Sequence, residues 1–400
     1  MPKPLDGVRV ADFSHVMAGP FASHYLALLG AEVIKVEPPG RGDPMRNYGN
    51  DRRYDGMAPA FIAANAGKKS MVLNLKQPEA LEAAKKLIAT SDVVLENFRP
   101  GVMERLGLGY EACKALKGDI IFCSVSGYGQ TGALRNYPAI DNIVQATSGM
   151  MSLGGEPGAP PMRVGFPAID TWTGQTAALA IMTALLHKAR FGEGQHIDVA
   201  MLDASLVFMA SAVVPWLVTG KTLERTGNTG YSGQPTAAMF VARDGVNISL
   251  GVVQPNQFDS LCRAMGREDL PADPRFTTPD LRRENGPALQ AILSEVFATR
   301  DADDWERLLN VAGAPCGVVR DIPGVMQLPH LADRGVVLPL HIGGLPEGED
   351  VAVLGTGFHF AHDGPDEAAA PPRLGQHTDE ILAALGYGAE ARQGIIAQSA

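Results

Sequence analysis

The chain has 400 residues, 34 Lys plus Arg against 44 Asp plus Glu, and a formal net charge of −10. That length exceeds one ordinary core and predicts two domains, while 46% hydrophobic and 20% charged residues are the balance of a packed globular protein. The acidic excess excludes general affinity for nucleic acid or anionic lipid, since neither polyanion would be drawn in at long range.

The opening Met1-Pro2-Lys3-Pro4-Leu5-Asp6 reaches an acidic residue before any apolar run, so no signal peptide is expected. The longest apolar stretches are interrupted well short of the roughly 20 residues of a membrane span. A soluble, cytoplasmic protein is the expectation. Val8–Phe13 reads as a short strand, Gly19-Pro20 opens a helical run through Phe21, Leu26 and Leu29, and Gly30 closes it. Val33–Glu37 is a second strand. Leu81, Ala84, Leu87 and Ile88 fall at helical spacing, and Val93–Leu95 and Ile120–Ser124 are further buried strands. Apolar strands alternating with amphipathic helices predict an α/β fold with a mostly parallel sheet covered on both faces.

A long apolar helix is predicted from Thr173 towards Lys188, and residues 199–218 read as another buried helical stretch. Gly227–Gly233 is a glycine-rich loop. It leads into a hairpin, Ala238–Ala242 and Val246–Leu250, turned at Asp244-Gly245. Leu289, Ile292, Leu293, Val296 and Phe297 mark an amphipathic helix, and Trp305, Leu308 and Leu309 another, stopped at Gly313. Residues 225–325 therefore form a small α+β domain, set between the 1–222 and 327–400 parts of a large one. Gly364–Pro372 is an Ala/Pro/acidic connector, and a final short helix runs from His377 to Leu385. The four cysteines have no CxxC spacing and no histidine cluster, which predicts free thiols, with no disulfide and no metal.

No Walker loop, HExxH or GxSxG occurs, and the one GxGxxG that follows a strand, Gly127–Gly132, runs into Arg135-Asn136-Tyr137-Pro138 instead of opening a helix. A glycine fingerprint without its helix weighs against a dinucleotide-dependent dehydrogenase. Three stretches can carry chemistry. Ser14–Pro20 lies at the carboxyl end of the first strand, where open α/β sheets bind ligands and a helix N-terminus offers free N–H groups. A plain strand–turn–helix corner, with His15 on a local carbonyl, is the alternative. Asp170, in Pro167–Gly174, precedes the long helix, where it can serve as an N-cap, as a nucleophile kept ionised by N–H donors, or as both. The loop with Gly227, Gly230 and Gly233 can be a lid over a reactive intermediate or a simple linker. Asp203 reads as a cap or ion-pair partner.

Taken together, these stretches resemble the family III CoA transferases and the related α-methylacyl-CoA racemases. The resemblance runs through His15–Pro20, Gly30–Glu37, Gly42-Asp43-Pro44, Leu73–Lys76, Glu96–Gly101, Ser126–Gly129, Ala314–Gly317 and Pro371–Gly375. It implies a Rossmann-like large domain built from both chain ends, a smaller domain between them, and two ring-like copies interlocked as a homodimer. It implies CoA as co-substrate with no tightly bound cofactor, and acyl-CoA and small carboxylates as partners. Asp170 matches the family's catalytic aspartate; His15, Val16, Ala18, Leu73, Lys76, Asn97, Phe98, Arg105 and Met201 match its CoA-binding pattern. The implied activity is CoA transfer through aspartyl anhydride and aspartyl-CoA thioester intermediates, with an acyl-CoA racemase or isomerase as the alternative. Racemase relatives carry a histidine where this chain has Ile140, before Asp141, so a two-base proton exchange would lack its partner. Formyl-CoA/oxalate enzymes carry a glutamine at Met17, lysines at Ser126 and Pro138 and a tyrosine at Ile140. Those losses argue against oxalate and for a larger or less charged acid.

Overall fold

The computed structural model describes residues 2–49, 54, 57–230, 232–342, 351–362, 364 and 367–399. They divide into two compact units. The first is Met1–Met151 with Arg163–Gly220 and His330–Ala400; the second is Ser152–Met162 with Lys221–Pro329.

The first unit is built on strands β1 (Arg9–Asp12), β2 (Glu32–Glu37), β3 (Lys69–Val72), β4 (Val93–Glu96), β5 (Ile121–Ser126) and β6 (His196–Ala200). They form one parallel sheet in the order β3-β2-β1-β4-β5-β6. Side chains alternate between its faces. Val10, Val33, Leu95, Ile121 and Cys123 face helices α1 (Ala18–Leu28) and α2 (Ala168–Phe191). Ala11, Ile34, Val94 and Phe122 face Pro78–Ala89 and the helix Thr378–Ala384. Burial on both faces explains why Val93–Leu95 of β4 and Ile121–Cys123 of β5 read as short continuous apolar runs. The sheet order reverses between β1 and β4, so the chain leaves their carboxyl ends in opposite directions and opens a crevice there.

Helices α1 and α2 touch closely. A Cβ on Gly174 would lie 2.8 Å from the Ala18 carbonyl oxygen and 3.0 Å from Phe21 Cβ, so only glycine allows this approach. The stretch 199–218 differs from the sequence expectation. It begins as the end of β6 and continues as two helices, α3 (Met201–Phe208) and α4 (Ala210–Thr219), bent by 80°. α4 buries none of its residues, and Val207, Val214, Trp216, Leu217 and Val218 are exposed. The unbroken apolar composition cannot by itself reveal that the chain turns here or that one face stays uncovered. Among the described residues no single helix is long and apolar enough to cross a membrane.

In the second unit, β7 (Met239–Val241) and β8 (Asn247–Leu250) form the hairpin, with Gly245 at φ 79°, and β9 (Cys316–Val318) adds antiparallel to β8. Its core gathers Phe240, Ile248, Phe258, Leu289, Leu293, Phe297 and Trp305. Residues 152–162 belong with this unit, although their position in the chain places them within the 1–222 part. The reason is local: Arg225 donates to the Ala159 carbonyl, and Glu156 lies against Gly227. The connector 364–372 is described only at 364 and from 367 onwards.

Candidate active site

The loop after β1 is pinned from three sides. Asn97, just beyond β4, accepts from His15 N–H at 2.9 Å and donates to its carbonyl at 2.7 Å. The Asp43 carboxylate accepts from Val16 N–H at 3.1 Å and binds Lys35 Nζ at 2.8 Å, and Lys35 donates to the Ser14 carbonyl at 2.7 Å. Burial opposes ionisation of Asp43, but Lys35 and the backbone donors outweigh it and hold its carboxyl below the usual range. These contacts force Val16 to φ 67°, the one positive φ at a non-glycine among the described residues. For a β-branched side chain that conformation costs of order 1–3 kcal/mol, sustained only because its surroundings over-determine it. The His15 ring packs on Phe98 at 4.9 Å between centroids, and burial lowers its pKa.

Asp170 lies in the first turn of α2, at a helix whose N-cap position is Pro167. The sequence expectation that N–H donors hold its carboxylate ionised is corrected here. Among the described residues no hydrogen bond reaches that carboxylate; the free N–H groups of Ile169 and Asp170 donate instead to Asp141 Oδ2, at 2.8 and 3.0 Å. Asp141 therefore takes the capping role. Burial, and then the Asp141 charge, raise the Asp170 pKa from 3.8 to about 7. Asp141 Oδ1 accepts from Gln145 Nε2 at 2.6 Å, and Gln145 Oε1 accepts from Val164 N–H at 2.9 Å.

One cavity of about 1450 Å³ within the first unit is lined by His15, Val16, Ala18, Asn97, Phe98, Asp170 and Met201 together. Met17, Ser126, Pro138 and Ile140 also line it, as do the cations Arg99, Arg135 and Arg163. Leu73, Lys76 and Arg105 do not. Leu73 is buried in the core beneath the sheet, Lys76 is exposed with its N–H on Asn74 Oδ1, and Arg105 is exposed beside Gly101. Gly227 and Gly233 adopt positive φ, and Gly230 N–H donates to the Ala237 carbonyl, in the second unit; Tyr231 of that loop lies outside the described residues. Asp141, Gln145 and Arg163 were not singled out as site residues from the sequence. The i, i+4 spacing of Asp141 and Gln145 is the signal that could have found the first two, since an acid and an amide so placed meet on a helix face.

A family model described as CoA-transferase family III matches residues 5–378. The chain belongs to CoA-transferase family III. Relatives agree along almost the whole length. An acyl-CoA transferase of Fusarium pseudograminearum is 37% identical over 97% of this chain and 86% of its own. An acetyl-CoA:oxalate CoA-transferase of Acetobacter aceti is 38% identical over 96% and 95%. A succinyl-CoA–D-citramalate CoA-transferase of Chloroflexus aurantiacus is 35% identical over 96% and 94%. Among solved structures, a CAIB/BAIF family protein from Brucella suis superposes with a TM-score of 0.85 at 33% identity, covering 96% of this chain and all of that one. As a family III CoA-transferase the protein is an enzyme that transfers CoA, and such enzymes use CoA thioesters as co-substrates.

Proposed function

We propose that this CoA-transferase moves CoA from an acyl-CoA to a small carboxylic acid with Asp170 as covalent nucleophile. The observation that carries the reading is the single cavity holding Asp170 together with His15, Asn97, Phe98 and Met201. Asp170 attacks the donor thioester carbonyl, the C–S bond breaks, and CoA leaves as thiolate from a mixed anhydride. The thiolate attacks the aspartyl carbonyl, the donor acid departs as carboxylate, and an aspartyl-CoA thioester is left. The acceptor carboxylate attacks that thioester and releases thiolate. The thiolate then takes the acceptor's acyl group from the second anhydride and frees Asp170. Charge and protons balance at every step. The raised pKa of Asp170 suits this role, because a desolvated, more basic carboxylate is the better nucleophile once ionised.

His15, Val16, Ala18, Asn97, Phe98 and Met201 are assigned to the pantetheine end of CoA and the exposed cations Lys76 and Arg105 to its phosphate end, while the Leu73 side chain, buried in the core, is given no contact with CoA. The large unit is read as Rossmann-like, the loop through Gly227, Gly230 and Gly233 as a lid against water, and the working molecule as an interlocked cytoplasmic homodimer. The exposed apolar face of α3 and α4 supports a covering partner copy. Met17, Pro138 and Ile140 put apolar side chains on the wall of the cavity that holds Asp170, which favours an acceptor larger than oxalate, and Ile140 has no proton to offer a racemase. The test is a mass-spectrometric screen of acyl-CoA donors against mono- and dicarboxylates, with hydroxylamine trapping on the Asp170 peptide. Asp170→Ala is expected to bind CoA and give no transfer; turnover by that variant would overturn the assignment.

A further inference from the structure

Gln145 is almost fully buried, 1% exposed, yet it is polar and sits one turn from the start of the helix Asp141–Thr147. Its two amide ends are committed in opposite senses. Oε1 accepts from the backbone N–H of Val164, while Nε2 donates to Asp141 Oδ1 at 2.6 Å and reaches the Phe166 carbonyl at 3.5 Å. The partners fix which atom is which, since a backbone N–H demands an oxygen and a carboxylate demands an N–H. Asp141 in turn uses its other oxygen on the N–H groups of Ile169 and Asp170. Val164, Phe166 and Asp170 line one cavity. One side chain therefore joins the wall that faces the substrate to the group that holds the nucleophile.

We propose that Gln145 is a positioning residue for CoA transfer, its carboxamide fixing both the Asp141 carboxylate that anchors Asp170 and the 164–166 stretch that walls the same cavity. No other side chain of that size serves both partners. Leucine or methionine leaves two buried polar groups unpaired, and glutamate supplies a donor to Asp141 only when it is protonated. The inference rests on Asp170 as nucleophile. Holding a nucleophile in an attack-ready position is worth up to about a hundredfold in rate, whereas the CoA-facing residues His15, Asn97 and Phe98 make none of these bonds. Loss of Gln145 therefore lowers kcat and leaves the KM for acyl-CoA nearly unchanged.

The experiment uses the full chain with succinyl-CoA and glutarate, or whichever pair of the donor–acceptor screen wild type turns over fastest. Gln145→Leu is expected to lower kcat about 10- to 100-fold with the acyl-CoA KM within about threefold. Gln145→Glu, close to isosteric, keeps the proposal testable should the leucine variant not fold. Ionisable groups on the elements around position 145 are Asp141 on its own helix, Asp170 and Asp203 on the two helices packed against it, and Arg163 beside Val164. With Asp141 alongside, an added glutamate recovers its donor on acidification, so the variant-to-wild-type kcat ratio rises as pH falls from 8 towards 5.5. A purely structural role predicts a flat ratio. A flat ratio, a folded leucine variant within twofold of wild-type kcat, or a loss confined to KM would each overturn the assignment of Gln145. Turnover by Asp170→Ala would instead remove the nucleophile reading beneath it.

Discussion

Two carboxylates start the long helix α2, and their division of labour sets the chemistry at the residue scale. Asp141 carries the hydrogen bonds, so Asp170 is left desolvated, beside a like charge, with its pKa raised to about 7. The proposed acylation of Asp170 needs the ionised form, so its single-turnover labelling is expected to fall as pH drops through about 7. Asp141→Asn removes the second cause and leaves burial, the larger one, so the acid limb should move down by on the order of one unit while the plateau rate at pH 8 drops. A limb that does not move would show that Asp141 exerts no field on Asp170. The same shift affects stability. Between the ordinary pKa near 4 and about 7 the folded protein holds a proton that the unfolded chain has lost, so stability declines as pH rises through that window. Asp170→Asn should accordingly melt above wild type at pH 8 and match it at pH 4, by calorimetry.

At the scale of elements, the site depends on how closely α1 and α2 pack, because one begins beside His15–Met17 and the other carries Asp170. Gly174→Ala gains about 1 kcal/mol of helix propensity, but its methyl meets the Ala18 carbonyl and Phe21. Net destabilisation of about 1–3 kcal/mol, read as a lower urea midpoint, is the expected outcome; an unchanged midpoint would mean the helices move apart freely. This contact also marks where sequence reasoning stops. Val94 and Phe122 announce buried strands because both neighbours along each run are apolar. Lys69-Ser70-Met71-Val72 gives no such signal, its lysine and serine being held by Glu32, Glu380 and Glu37 brought from elsewhere in the chain. His196-Ile197-Asp198 is likewise an edge whose polar residues have distant partners, with His196 on Ser124 and Asp198 on Gln130 N–H. The position of Asp170 ahead of a helix was legible. Which carboxylate takes its N–H groups was not, because Asp141 arrives from 29 residues upstream.

For the molecule as a whole, residues near 70 and beyond 375 complete one another. Val72 N–H donates to Thr378 Oγ1 at 3.0 Å, Gly375 N–H to Ser70 Oγ at 2.9 Å, and Asn74 N–H to Ser399 Oγ at 3.1 Å. Thr378→Val leaves the buried Val72 N–H without a partner and should cost about 1–3 kcal/mol, measurable by urea denaturation. Stability equal to wild type would show that this edge is not held from the far end of the chain. The closure also has a bearing on how the protein is made. Thr378 follows Val72 by 306 positions, and a ribosome adding about 5–20 residues per second needs roughly 15 seconds to a minute to cover that gap. Throughout that time the nascent β3 edge waits with its hydrogen-bonding groups open to other chains, so chaperone binding during synthesis should concentrate on residues 69–74.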